Sequence, residues 1–177
     1  MMSEVAQYSH YGDPLRVVRL VHQPLEPVKE NQVRVRVLMS VIHPSDLNMI
    51  EGKYFHQPPL PSALGREGVG IVEETGSDVK HLRIGDHVIS PFESPLSWTG
   101  WWRKEGLFDA HSLMAIPKDI PLEQAAMLCI NPLTAWLLLR KTSDATKGSW
   151  IAQNAANSAV GRCVVQIAKE LGISTLN

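Results

Sequence analysis

Residues 154–161 read Asn-Ala-Ala-Asn-Ser-Ala-Val-Gly, between an apolar run, "KGSWIAQN", and a helical pattern, "SAVGRCVVQIAKELG". A strand that turns directly into a helix can hold a pyrophosphate. The first backbone N–H groups of a helix lack partners within it, and the helix dipole favours an anion there. A glycine-rich loop of this kind spaces its glycines as G-x-G-x-x-G. Here that register reads Ala156-x-Ser158-x-x-Gly161, with one glycine of three. The requirement is close backbone approach rather than glycine as such. Asn157, Ser158, Ala159, Val160 and Gly161 are therefore the candidate cofactor-binding residues. Asn157 and Ser158 add side chains that suit a phosphate or a helix cap. Ala159 fits at little cost only where the backbone is already helical. The alternative is a plain strand-to-helix turn.

The elements that would position this loop follow from periodicity. In the helix, Val160, Val164, Ile167, Ala168 and Leu171 recur at three- and four-residue spacing, and Gly172 supplies a stop. "ISTLN" starts a second strand, which makes a β-α-β unit, the opening of a doubly wound sheet. Residues 121–142, "PLEQAAMLCINPLTAWLLLRKT", read as two helices meeting at Asn131-Pro132, because proline disfavours helix at the residue before it. Residues 1–120 are β-rich. "LRVVRLVH", "NQVRVRVLMSVI", "REGVGIVEETG", "LRIGDHVIS" and "AHSLMAIPKDI" read as short strands between turn signals, which suggests a compact barrel or sandwich.

The fold class expected is α/β with a β-rich N-terminal part. The domains expected are 1–120 and 121–177. One β-α-β unit cannot close a sheet with covered faces, so the chain reads as the first part of a longer protein. The 177 residues carry a net charge of -1, with 44% hydrophobic and 20% charged residues. That balance points to neither nucleic acid nor an anionic membrane as partner. No apolar run is long enough to span a bilayer, and the N-terminus lacks the basic and apolar regions of a signal peptide. Cys129 and Cys163, both in apolar helical patterns, read as reduced core residues, which fits a cytoplasmic location.

Five stretches carry a resemblance: "HPSDLNMIEGKY" (43–54), "LGREGVGIVEETGSDVKHLRIGDHVI" (64–89), "GWWRKEGLF" (100–108), "INPLTAW" (130–136) and "QNAANSAVG" (153–161). In this order they resemble the medium-chain dehydrogenase/reductase superfamily. The closest look is to its mitochondrial-type trans-2-enoyl-thioester reductases and quinone-oxidoreductase-like relatives. The resemblance implies a GroES-like barrel followed by the first β-α-β portion of a Rossmann domain, incomplete here. It also implies NADPH as cofactor, an acyl thioester or quinone as substrate, and a homodimer for the full-length family. In the resembling reductases the loop reads close to "NxSNSGVG", and Ala159 stands where they commonly have glycine. The residue that separates NADPH from NADH comes after the second strand, beyond the residues present.

Zinc alcohol dehydrogenases of the superfamily resemble C-H-T-D and G-H-E at the metal. The matching stretches here are His43-Pro44-Ser45-Asp46 and Gly65-Arg66-Glu67. Arginine stays protonated and has no acceptor, so it cannot ligate. His43 and Glu67 alone do not make a tetrahedral site. No metal is expected, which leaves reduction of an activated C=C as the natural chemistry. That reaction needs a hydride at the β-carbon, a proton at the α-carbon and stabilisation of the oxygen on which charge builds.

The resemblance assigns the proton donor to Tyr54, a phenol with one O–H. The bland alternative is a loop aromatic packed under Pro58 and Pro59. It places Asn131 and Thr134 beside the nicotinamide ring, where an amide and a hydroxyl can hold a carboxamide and a ribose hydroxyl; helix capping is the competing role. It matches Trp102 and Arg103 to a Trp-Arg pair that could wall a substrate channel, against simple packing at a strand edge. A reading from another class remains: a GroES-like domain that binds no cofactor and pairs through an exposed strand edge.

Overall fold

The computed structural model describes residues 2–55, 57–91, 100–141 and 144–177. The chain divides into two compact units, Met1–Ala126 and Met127–Asn177. The first unit holds β1 (Met2–Tyr8), α1 (Pro14–Val17), β2 (Arg19–Pro24), β3 (Gln32–Ser40), α2 (Pro44–Ile50), β4 (Ser62–Ala63), β5 (Gly68–Thr75), β6 (His87–Ile89), β7 (Glu105–Asp109), β8 (Met114–Ile116) and α3 (Leu122–Ala125). The second holds α4 (Asn131–Lys141), β9 (Trp150–Ala152), α5 (Ala159–Glu170) and β10 (Ser174–Leu176).

The first unit is the β-rich part expected from the sequence. Its strands form a five-stranded sheet, β7-β3-β5-β6-β8, and a three-stranded sheet, β2-β1-β4. The two meet where Val5 bridges Arg103. Strand β3 shows why the segment folds this way. Val33 and Val35 are fully buried and Val37 packs against them, while Arg34 and Arg36 alternate to the other face. Those arginines reach β5, Arg34 to Glu74 at 3.0 Å and Arg36 to Glu73 at 2.5 Å. A bulge between Arg34 and Val35 shifts the register without turning the valines out of the core. Trp101 and Phe108 close this core with ring centroids 4.7 Å apart.

Two local readings are corrected, and one strand, β1, was not read from sequence. The run 15–22 is not one strand: residues 14–17 form a helical turn and the strand begins at Arg19. Asp13 caps that turn by accepting from the Leu15 amide, and Pro14 sits at its first position, where its missing N–H costs nothing. The strand β1 carries no clear alternation, because buried Ser3 stands on its core face beside Val5. Ser3 is tolerated there because its hydroxyl donates to the Glu105 carbonyl at 2.7 Å and accepts from the Glu105 amide at 2.9 Å. Finally, the helices around Asn131 do not abut. α3 ends at Ala125, a turn spans 126–130, and Cys129 lies in that turn rather than in a helix.

In the second unit β9 and β10 pair in parallel, Trp150 with Ser174 through Ala152 with Leu176, and α5 connects them. All five helix residues named from periodicity join the apolar cluster of this unit, with Ala135, Leu139 and Ile173. The helix ends before Gly172. Cys163 is half-buried and packs against this cluster, and burial pushes its thiol up against the pull of Arg162.

Candidate functional site

Tyr54 follows α2 and is held there by its backbone. Its amide donates to Asn48 O at 3.2 Å, and Gln57 Nε2 donates to its carbonyl at 2.8 Å. The ring lies against Phe55, centroids 4.6 Å apart. Its hydroxyl accepts from Arg66 Nη1 at 3.0 Å, and the guanidinium carbon stands 5.2 Å from the ring centroid. The same nitrogen reaches Ser45 Oγ at 3.3 Å. Arg66 and Ser45 were not singled out as partners of Tyr54 from sequence. No periodicity links an irregular segment to a residue twelve positions on.

The backbone on either side of Arg66 is fixed. Gly65 has φ +92, and a Cβ there would meet Trp102 Cδ1 at 2.3 Å, so only glycine lets the indole lie on this turn. Glu67 is fully buried, and its Oε1 lies 2.5 Å from His43 Nε2. Asp46 is buried too. One of its oxygens accepts from the His43 amide at 2.7 Å. Burial holds the Asp46 carboxyl above its ordinary value, opposed by the His43 amide and by the charges of His43 and Arg66. Among the described residues no group of three or more His, Cys, Asp or Glu could hold a metal ion.

Trp102 donates its indole N–H to Val41 O at 2.8 Å and packs on the cluster of Tyr8, Val17, Ile50 and Leu64. Arg103 donates to Gly100 O at 2.8 Å. Both line an open groove of about 370 Å³ along Val37–Ser40 and Ile42.

In the second unit, Ser158 is the N-cap of α5, and its hydroxyl accepts from the Gly161 amide at 3.1 Å. Gly161 is buried. A Cβ there would lie 2.6 Å from Ala155 O and 2.7 Å from Ala156 Cα, so the loop folds back onto the first helical turn only over a glycine. Ala159 is the first helical residue, which removes the objection to its Cβ. The left-handed position falls instead on Ala155, with φ 51. No hydrogen bond among the described residues uses the amides of Ala159 and Val160. Two free N–H groups at the head of a three-turn helix suit a pyrophosphate, so the residues present fit a dinucleotide. Gln153, given no role of its own from sequence, braces the loop through Gly161 O at 3.3 Å and Asn177 at 2.8 Å. A cavity of about 410 Å³ opens beside it, lined by Leu138, Leu139, Ile151, Ala152, Asn154 and Val164. Ligands of parallel sheets bind beyond the carboxyl ends of strands, where this cavity lies.

Asn131 is buried at the start of α4. Thr134 is exposed and its hydroxyl donates to Ile130 O at 2.6 Å, within its own helical turn. No hydrogen bond among the described residues joins either one to the 153–161 loop.

Residues 29–118 match the alcohol dehydrogenase GroES-like domain. Over 170 residues the chain is 45% identical to the human mitochondrial enoyl-[acyl-carrier-protein] reductase, covering 96% of this chain and 44% of that protein. The chain thus spans less than half the length of this relative. A solved structure described as an NADPH:quinone reductase of Bacillus thuringiensis is 35% identical, with a TM-score of 0.87 over 99% of this chain and 51% of that one. The complex of Etr1p with NADP and crotonyl-CoA is 29% identical, with a TM-score of 0.88 over 99% and 53%. Etr1p is a mitochondrial 2-enoyl thioester reductase subunit of Candida tropicalis. No helix among the described residues is long and apolar enough to cross a membrane.

Proposed function

Because this chain belongs to the alcohol dehydrogenase GroES-like domain family, within the medium-chain dehydrogenase/reductase superfamily, we propose that it works as an NADPH-dependent reductase of the C=C bond of trans-2-enoyl thioesters, with Tyr54 as the proton donor. The observation that carries this reading is the Tyr54 hydroxyl. Tyr54 is half-buried, and among the described residues its hydroxyl is bonded only to a group that cannot take its hydrogen. The 45% identity to an enoyl reductase supports the substrate class.

NADPH, when bound, supplies the hydride. The amides of Ala159 and Val160 and the dipole of α5 would receive its pyrophosphate, with Asn157 and Ser158 at the rim. Asn131 and Thr134 would meet the carboxamide and a ribose hydroxyl. Tyr54 gives its proton to the α-carbon, and Trp102 with Arg103 would border the acyl group. Assembly as a homodimer in a reducing compartment belongs to the same reading; Cys129 and Cys163 are not joined in a disulfide.

A quinone or enone reductase is the second reading, favoured by the likeness to the Bacillus thuringiensis structure. Tyr54 would matter less there. The test is a titration with NADPH and NADH followed by the fluorescence of the five tryptophans, then turnover of a crotonyl thioester and of a quinone, with and without Tyr54→Phe. Saturable binding of NADPH and a thioester reduction crippled by Tyr54→Phe are expected. Absence of binding at millimolar cofactor rules out a working reductase in this chain and leaves a GroES-like domain without cofactor. Quinone turnover indifferent to Tyr54→Phe selects the second reading.

A further inference from the structure

The hydroxyl of Tyr54 has one hydrogen-bond partner among the described residues, the guanidinium of Arg66 at 3.0 Å. A guanidinium carries five N–H donors, no acceptor, and does not lose its proton in proteins. Arg66 therefore donates and Tyr54 accepts. The phenol's own hydrogen cannot be used on Arg66, and among the described residues no acceptor takes it. A neutral partner such as a serine or an amide would have allowed either direction.

Arg66 is built to hold this arrangement. Its backbone sits between Gly65, on which the Trp102 indole lies, and Glu67, buried against His43. Ser45 Oγ, 3.3 Å from the same nitrogen, anchors the guanidinium from α2. The cation also stands 5.2 Å from the phenol ring centroid, within the range of cation–π attraction.

We propose that Arg66 is a positioning residue for Tyr54: it turns the phenol O–H outward as a directed donor and then pairs with the phenolate that proton transfer leaves. The proposal rests on Tyr54 being the proton donor. In the step it serves, a hydride from reduced nicotinamide adds to the β-carbon of the enoyl thioester. The Tyr54 O–H bond breaks and a C–H bond forms at the α-carbon, with the electron pair left on the phenolate oxygen. Water then reprotonates the phenolate. Before the step Arg66 donates to a neutral oxygen; after it both partners are ionised, and the attraction between opposite charges adds to the hydrogen bond. The interaction thus strengthens as the proton leaves, which is the condition for lowering a barrier rather than only binding substrate.

The test uses two readouts. The chain has three tyrosines, Tyr8, Tyr11 and Tyr54, so labelling them with ¹³C at the ring carbon that bears oxygen gives three NMR signals, and Tyr54→Phe assigns one. Arg66→Met is expected to displace the Tyr54 signal while those of Tyr8 and Tyr11 stay, and Arg66→Lys to restore it in part. With NADPH and a crotonyl thioester, Arg66→Met is expected to lower kcat by about tenfold to a hundredfold, within the range general acid catalysis contributes, with KM little changed. Added to Tyr54→Phe it should cost almost nothing more, since the residue it acts through is gone. An unmoved Tyr54 signal, or additive losses in the double variant, overturns the proposal. Full activity in Arg66→Met beside a crippled Tyr54→Phe also overturns it, alone. Full activity in Tyr54→Phe overturns the donor reading and this proposal with it. In a chain that turns over no thioester the donor reading fails, and the NMR signal alone decides whether Arg66 orients Tyr54.

Discussion

His43 Nε2 and Glu67 Oε1 stand 2.5 Å apart, and Glu67 has no exposed surface. A histidine and a carboxylate sealed together in this way hold the chain on both sides of the Tyr54–Arg66 contact, His43 just ahead of α2 and Glu67 next to Arg66.

Removing one member strands the other. Breaking a buried pair leaves an uncompensated polar group and costs about 3–5 kcal/mol. Glu67→Ala is therefore expected to lower the unfolding free energy of the first unit by about that much. Replacing both residues with leucine should cost less than the two single alanine changes together, because no polar group is then orphaned. Urea unfolding followed by tryptophan fluorescence reads both. A paired loss equal to the sum of the two single losses would show that the contact contributes nothing.

Asp46 gives a pH dependence. Burial raises its carboxyl above the ordinary 3.8, the value expected in the unfolded chain. The folded state then binds the proton more tightly than the unfolded one. The protonated form is favoured on folding, and the stability it brings is present in acid. That stability is lost as pH rises from near 3.8 through the raised folded value. Asp46→Asn keeps an oxygen for the His43 amide and removes the charge. Its stability relative to the natural chain should grow with pH across that window and then level off. A difference that is flat from pH 3 to 7 would contradict the assignment.

Tyr8 makes the corresponding case in alkali. Its hydroxyl is buried with no hydrogen-bond partner among the described residues, and burial together with Tyr11 pushes its ionisation up to about 12. The unfolded phenol loses its proton near 10, so stability is present below that value and falls between 10 and about 12. Tyr8→Phe removes an unsatisfied buried hydroxyl, worth about 1–3 kcal/mol of desolvation. The variant is expected to match or exceed the natural chain at neutral pH and to hold its stability further into alkali. Melting temperatures from pH 7 to 11 decide this; a large loss at pH 7 would mean that the hydroxyl has a partner after all.

The parts of the molecule legible from sequence are those where one physical effect dominates. Val33, Val35 and Val37 alternate because one face of β3 is core, and Val160, Val164, Ile167, Ala168 and Leu171 repeat because one face of α5 is. Strand β1 was illegible because Ser3, on its buried face, is satisfied by Glu105, a residue a hundred positions away. The turn at 14–17 reads as strand because Val17 and the Val18 that follows it outweigh one cap, Asp13. The loop at 154–161 was legible as a strand-to-helix turn, but its strained residue is Ala155 rather than Ala159. Arg66 was legible only as a residue that cannot bind metal; its contact with Tyr54 is set by irregular chain between α2 and β5.

The loop yields the last prediction. Gly161→Ala puts a Cβ against Ala155 O and Ala156 Cα at 2.6 and 2.7 Å, and both are backbone atoms with no side-chain freedom to yield. The loop must move off α5, taking the Ser158 cap with it, since that cap is made to the Gly161 amide. Loss of the cap alone costs about 1 kcal/mol. The variant should unfold more easily in the second unit and bind NADPH at least about tenfold more weakly, a change of roughly 1.4 kcal/mol. Ala155→Gly acts in the opposite direction. A residue with a Cβ held at φ 51 is strained by about 1–2 kcal/mol, and glycine relieves it at some entropic cost. Ala159→Gly is the control: the position is already helical, so restoring a glycine there should give no gain in cofactor affinity. Calorimetric titration of the three variants with NADPH separates the cases. Tighter binding by Ala159→Gly, or unchanged binding by Gly161→Ala, would mean that the cofactor does not sit on the first turn of α5.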